Sequence, residues 1–210
     1  MSTTPAAGEH RHSLVLASAS PARLSTLRRA GLDPRVVVSG VDESTLTDPD
    51  PARFVAGLAE LKGRAVAERL EPGEERWLLA CDSVLALDGA ILGKPDDHAD
   101  AVRRWQRMRG RTGVLHTGHF LLDLGSGTVV RRSVATRVHF AEVSDAEIEA
   151  YVATGEPLAV AGAFTVDGLG GPFVQGVEGD HHNVVGLSLP VLREMFGELG
   201  VLWTDLWRRS

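Results

Sequence analysis

Apolar residues recur along the chain in short runs and at helical spacing, broken by turns rich in glycine, proline and acid. Residues 14–17 form a short apolar run suited to a buried strand. Ser18-Ala19-Ser20-Pro21 then offers an N-cap serine with proline at the first helical position, so a helix starts at Pro21. Leu24, Leu27 and Ala30 give it an apolar face, and Gly31 stops it before a strand over 35–38. Phe54, Leu58, Leu61 and Ala65 mark a second helix that Pro72-Gly73 ends. Residues 77–87 are nearly continuous apolar sequence interrupted by Cys81-Asp82-Ser83, and Asp88-Gly89 predicts a hairpin into Ile91 and Leu92. A helix over 99–108 precedes two long strands, 113–124 and 128–141, joined by Gly125-Ser126-Gly127. Ser144 and Glu147 form a capping box before a helix over 145–153, which Gly155-Glu156-Pro157 ends. Glycine is dense over 161–179, as in backbone turned tightly around something, and 189–199 supplies a closing helix.

One early strand-helix-strand unit followed by hairpins predicts a mixed α/β fold, a central mixed sheet flanked by helices, with a cleft between two lobes. Residues 1–12 read as a leader and 13–210 as a single domain. With 43% hydrophobic and 24% charged residues, composition is that of an ordinary globular protein. No apolar run approaches the roughly 20 residues of a membrane span, and residues 1–12 lack the apolar centre of a signal peptide, so a cytoplasmic location is expected. Cys81 is the sole cysteine, which excludes an internal disulfide. The net charge of −6 argues against polymeric nucleic acid as a partner, and any phosphate site must be local.

Candidate chemistry concentrates in four places. Hydroxyls and backbone N–H groups of the turn at Ser18 and Ser20, with Arg23, suit an anion, although such turns also simply cap helices. Asp82 within an apolar strand requires a partner, either a metal ion or a structural ion pair. Cys81, next to it, points to the opposite face and fills core. Lys94, between Gly93 and Pro95, can reach phosphate from a turn, and Lys62 can do so from the second helix; a solvated cation is the alternative for each. Asp42 and Glu43 can add an oxygen ligand or merely face water. The pairs His116/His119 and His181/His182 lack a matching third-ligand pattern, and neither a P-loop nor a nucleophile elbow is present.

In order and spacing, residues 16–23 (Leu-Ala-Ser-Ala-Ser-Pro-Ala-Arg), Val41-Asp42-Glu43-Ser44, Ala80-Cys81-Asp82-Ser83 and Gly93-Lys94-Pro95 resemble the Maf family of nucleoside triphosphate pyrophosphatases, which is associated with septum formation. Leu61-Lys62, Thr117-Gly118, the stretch 161–171, Gly179-Asp180 and 183–187 extend the resemblance over nearly all of the chain beyond residue 13. It implies a Maf/ITPase-like fold of two lobes around a nucleotide cleft, a homodimer, and a divalent cation, Mg2+ or Mn2+, as cofactor. Carried over by position, Ser18, Ser20, Arg23 and Ser83 bind substrate, Glu43 and Asp82 hold the metal, and Lys62 and Lys94 offset triphosphate charge. Asp82 is also the implied base for attack of water on the α-phosphorus, giving a nucleoside monophosphate and diphosphate.

Three positions depart from the subgroup that prefers dTTP and UTP: Ala22 replaces an arginine, Ser83 a threonine and Asp167 a glutamine. An ionised carboxylate only accepts hydrogen bonds, so Asp167 suits adjacent donors such as the guanine N1–H and N2–H₂; capping of a glycine-rich turn is the alternative. The competing functions are a non-catalytic nucleotide-binding regulator of cell division and a phosphatase acting on small metabolites.

Overall fold

The computed structural model describes residues 14–73 and 75–207, so the expected leader, residues 1–12, lies outside the described residues. The described elements are β1 (Leu14–Leu16), α1 (Pro21–Arg29), β2 (Arg35–Val36), α2 (Pro51–Ala67), β3 (Trp77–Leu87), β4 (Ala90–Leu92), α3 (His98–Met108), β5 (Thr112–Asp123), β6 (Val129–Phe140), α4 (Asp145–Ala153), β7 (Val174–Glu178), α5 (His181–Val185) and α6 (Leu189–Glu198). The strands form one seven-stranded sheet in the order β2-β1-β3-β5-β6-β7, with β4 paired to β3. β1 lies parallel to β2 and β3, and all other pairs are antiparallel. The expected mixed α/β sheet is therefore what the chain forms.

Helix starts follow side-chain caps written in the sequence. Ser20, Asp50, Asp97 and Ser188 each accept a hydrogen bond from a first-turn N–H, and Ser144 and Glu147 complete their capping box. Between β3 and β4, Asp88 (φ 50°) and Gly89 (φ 75°) take the left-handed backbone that a two-residue hairpin requires.

The pairing of β3 changes partway along. β5 follows one edge of β3 from Trp77 to Ala86. On the other edge, β1 pairs residues 77–79 and β4 pairs 85–87, which leaves 80–84 between two neighbours. Asp82 and Ser83 lie in this gap, and the Ser18–Ser20 turn leaves the end of β1 beside it. An opening at strand ends, where the topology switches, is the usual place for a ligand cleft in α/β sheets.

The buried residues divide at the same place. Leu85 and Leu87 join Trp105, Phe140, Tyr151 and Phe164 in a cluster closed by α3 and α4, where the Trp105 indole N–H donates to Ala163 O at 2.7 Å. Trp77, Leu79 and Cys81 instead pack with Leu27, Leu192 and Phe196 beneath α1 and α6. On the opposite face, Leu78 and Ala80 pack with Ala59, Val66 and Phe120 under α2. One strand thus carries both lobes.

Two glycines bring α2 unusually close to the sheet. A Cβ on Gly118 of β5 would lie 2.2 Å from Val55 O, and one on Gly63 of α2 would lie 2.3 Å from the Phe120 ring. Gly118 is the register partner of Asp82, so the close approach carries Lys62 to that carboxylate.

Two elements, one at the end of the glycine-rich segment and one just after it, were not expected. β7 is an edge strand whose pairing to β6 shifts register at His139 and Phe140, and α5 has five residues, too few to show a helical period.

Candidate active site

The turn after β1 is a set of polar groups arranged around Arg23. Ser18 is buried, its Oγ accepting from Ser20 N at 3.2 Å, while Ser20 Oγ accepts from Arg23 N at 3.4 Å as the cap of α1. Arg23 donates from Nε to Gly186 O (2.7 Å), from one terminal nitrogen to Ser18 Oγ (3.1 Å) and from the other to Ser83 Oγ (2.9 Å). Three of the five guanidinium N–H groups thus bind protein, and two remain for a ligand. Ser83 Oγ also lies 2.9 Å from Thr117 Oγ1, which donates to Asn183 O at 3.2 Å. Asn183 is wholly buried and anchored through Nδ2 to Thr136 Oγ1 at 3.0 Å.

Across the gap, Lys62 Nζ joins two carboxylates. It donates to Asp82 Oδ1 in a short contact and lies 2.8 Å from Glu43 Oε1. The Lys62 and Asp82 side chains are 12% and 10% exposed, whereas Glu43 is 55% exposed and forms the open arm. Burial raises the pKa of Asp82 above the ordinary carboxylate value, with Lys62 and then Arg23 opposing the shift. Cys81 is fully buried, which pushes its thiol up to about 12 and leaves it inert.

Two converging carboxylate oxygens already accommodate one cation here. Oxygen-only donors with an exposed arm suit a hard divalent ion, so Glu43 and Asp82 fit Mg2+ or Mn2+. Asp42 is engaged locally: Oδ1 accepts from Ser44 N at 3.0 Å, and that serine lowers its pKa.

The structure therefore brings together Ser18, Ser20, Arg23, Ser83, Glu43, Lys62 and Asp82. Lys94 is exposed in the turn after β4 and makes no ion pair among the described residues, although Gly93 O beside it is held by Arg104 (2.7 Å) and Gly162 N (3.0 Å). Lys62 and Lys94 are the chain's two lysines among 22 basic residues, a signal available from sequence alone. Asp167 is exposed and makes no hydrogen bond or ion pair among the described residues. The turn around it is held instead by Glu156, which accepts from Tyr151 Oη (3.0 Å), Thr165 Oγ1 (2.6 Å), Gly170 N and Leu169 N (both 3.1 Å).

Neither Glu156 nor the support that Thr117, Asn183 and Gly186 give Arg23 leaves a local signal in the sequence, because much of that support comes from backbone carbonyls distant in sequence. Of the histidines, His119 is structural: it is buried and accepts from Ser188 N at 2.9 Å. Asp180, His181 and His182 have potential ligand atoms within 4.8 Å of one another; the third group missing from the histidine pair is the preceding aspartate, which also caps α5 through His182 N. A surface groove of about 770 Å³ between α1 and α6 is lined by Arg29, Arg193, Trp203 and Trp207 and contains none of the site residues.

These features define a mixed α/β protein in which an arginine-centred polar turn and a carboxylate pair lie near one another at the gap beside β3. The chain belongs to the Maf-like protein family, whose sequence model matches residues 13–199. It is 57% identical over 199 residues to a protein of Salinispora tropica, covering 94% of this chain and 88% of that one, and 54% identical over 197 residues to one of Streptomyces avermitilis, covering 94% and 95%. Both relatives are named nucleoside triphosphate pyrophosphatase. Among solved structures, the Staphylococcus aureus Ham1 protein aligns with a TM-score of 0.38 at 14% identity, covering 62% of this chain and 72% of that one. Among the described residues no helix is long and apolar enough to cross a membrane.

Proposed function

We propose that the chain hydrolyses a nucleoside triphosphate, standard or modified, to the monophosphate and diphosphate, with Asp82 as proton acceptor. That it is a nucleotide pyrophosphatase, a hydrolase of phosphoric anhydrides, follows from its family and from relatives of more than half identity that carry the name. Water attacks the α-phosphorus, the bond from that phosphorus to the bridging oxygen breaks, diphosphate leaves, and the proton of water passes to Asp82.

The observation that carries this mechanism is the buried Asp82 carboxylate within electrostatic reach of Arg23. Burial increases its proton affinity while Lys62 favours the ionised form, a combination that suits a base. Ser18, Ser20, Ser83 and the two unused Arg23 N–H groups hold phosphate oxygens, and Lys62 and Lys94 offset their charge. Glu43 and Asp82 would hold Mg2+ or Mn2+, which when bound would supply Lewis-acid polarisation of those oxygens. Asp167 reads the base from the glycine-rich loop. A cytoplasmic homodimer completes the proposal, supported by the sequence resemblance.

A panel of nucleoside triphosphates assayed for both diphosphate and inorganic phosphate tests the reaction. Diphosphate is expected, with activity lost in EDTA and restored by Mg2+ or Mn2+; full turnover in metal-free buffer would remove the metal from Glu43 and Asp82. Asp82→Asn is expected to bind nucleotide yet lose at least about a hundredfold in kcat, roughly 3 kcal/mol. A loss of less than about tenfold would exclude Asp82 as the base.

A further inference from the structure

Lys62 stands where a bridging cation would stand. Its ammonium bonds Asp82 Oδ1 and lies 2.8 Å from Glu43 Oε1, the same two carboxylates proposed above to hold the metal. An ammonium and a divalent ion sharing those oxygens would repel one another at close range, so the two exclude each other. The lysine stem is flexible, with three rotatable donors, but it starts from a helix fixed against the sheet at Gly63 and Phe120. The head group can therefore leave while its base stays, and the polar turn opposite is where phosphates would receive it.

We infer, resting on the metal and phosphate roles proposed above, that Lys62 is an exchangeable occupant of the metal position. It offsets one of the two negative charges of Asp82 and Glu43 in the absence of metal, and moves to the substrate phosphates when the metal takes the carboxylates. Metal alone then binds weakly because it must displace Lys62 without offering that ammonium a new partner. Nucleotide supplies the partner, so metal and nucleotide assist each other's binding by the same factor in either order. A charge once shared by two carboxylates thus becomes a reporter of substrate.

The test is Mn2+ binding without nucleotide, read from the electron paramagnetic resonance of free Mn2+, in the parent, Lys62→Met and Arg64→Met. Arg64 lies on the same helix and pairs with Glu60, so its replacement removes equal charge without touching the site carboxylates. Lys62→Met is expected to bind Mn2+ at least tenfold more tightly than the parent, about 1.4 kcal/mol, and Arg64→Met within twofold of it. No gain in Lys62→Met, or an equal gain in both variants, would overturn the exchange while leaving the metal at Glu43 and Asp82. Absence of Mn2+ binding in the parent and in Lys62→Met, with or without a non-hydrolysable nucleotide, would remove the metal and the exchange together.

A second measurement uses the unmodified chain and so does not depend on how the variant folds. Because the chain has two lysines, lysine-specific 15N and 13C labelling gives two side-chain signals, which Lys94→Arg assigns. The Lys62 signal is expected to shift as Mg2+ saturates the site. A signal that stays in place through saturation would show that lysine and metal coexist.

Discussion

At the residue scale, His119 shows how a buried neutral group shapes pH dependence. It accepts from Ser188 N, and burial, assisted by Arg23, pushes its pKa down to about 4. Between that value and the ordinary 6.5, the unfolded chain binds a proton that the folded chain refuses. The contribution to stability is therefore complete above pH 6.5 and is lost as pH falls toward 4. In His119→Gln, the difference in unfolding free energy from the parent should shrink by about 2 kcal/mol between pH 7 and pH 5, measured by urea denaturation. The same difference at both pH values would reject this role. At this scale, Asp82 was legible because a carboxylate in an apolar strand needs a partner, and Ser18 with Arg23 because a capped helix start suits an anion. Glu156 was not, since its four hydrogen bonds gather a turn whose shape no periodicity reveals.

At the element scale, the distance from α2 to β5 determines whether Lys62 meets Asp82. Gly118→Ala would place Cβ against the Val55 carbonyl, an atom of helix backbone that cannot rotate away. It should cost about 2–3 kcal/mol of stability and, by displacing α2 and Lys62, on the order of a hundredfold in kcat/KM. Gly197→Ala on α6 is the contrasting case. Its Cβ meets nothing within 4 Å, so the helix should gain up to about 1 kcal/mol with activity unchanged. Thermal unfolding and steady-state rates of the pair check both signs, and equal destabilisation would discard the close-packing account. Long elements were legible because caps and periods agreed, down to the bounds Asp145–Ala153. β7 and α5 were not, since an edge strand without clear alternation and a five-residue helix depend on neighbours that a local pattern does not contain.

At the scale of the whole molecule, β3 joins two lobes, and the proposed recognition of the base falls to the loop around Asp167. Asp167→Gln replaces an acceptor with a group that also donates, so the ratio of kcat/KM for UTP over GTP or 7-methyl-GTP should rise about five- to a hundredfold, roughly 1–3 kcal/mol. A constant ratio would remove Asp167 from base recognition. The mixed sheet was legible from the order of strand and helix patterns; the lobes' division at the gap in β3 was not, because that gap arises from which strands share an edge. All the groups assigned to phosphate or metal lie at or before Lys94, whereas the loop and its fastenings, Tyr151, Glu156 and Thr165, follow one another within twenty residues much later in the chain. On the proposed reading, selection of the base and the chemistry are thus written in separate stretches of the gene, so that an exchange of the later stretch would leave the codons of the proposed catalytic groups untouched.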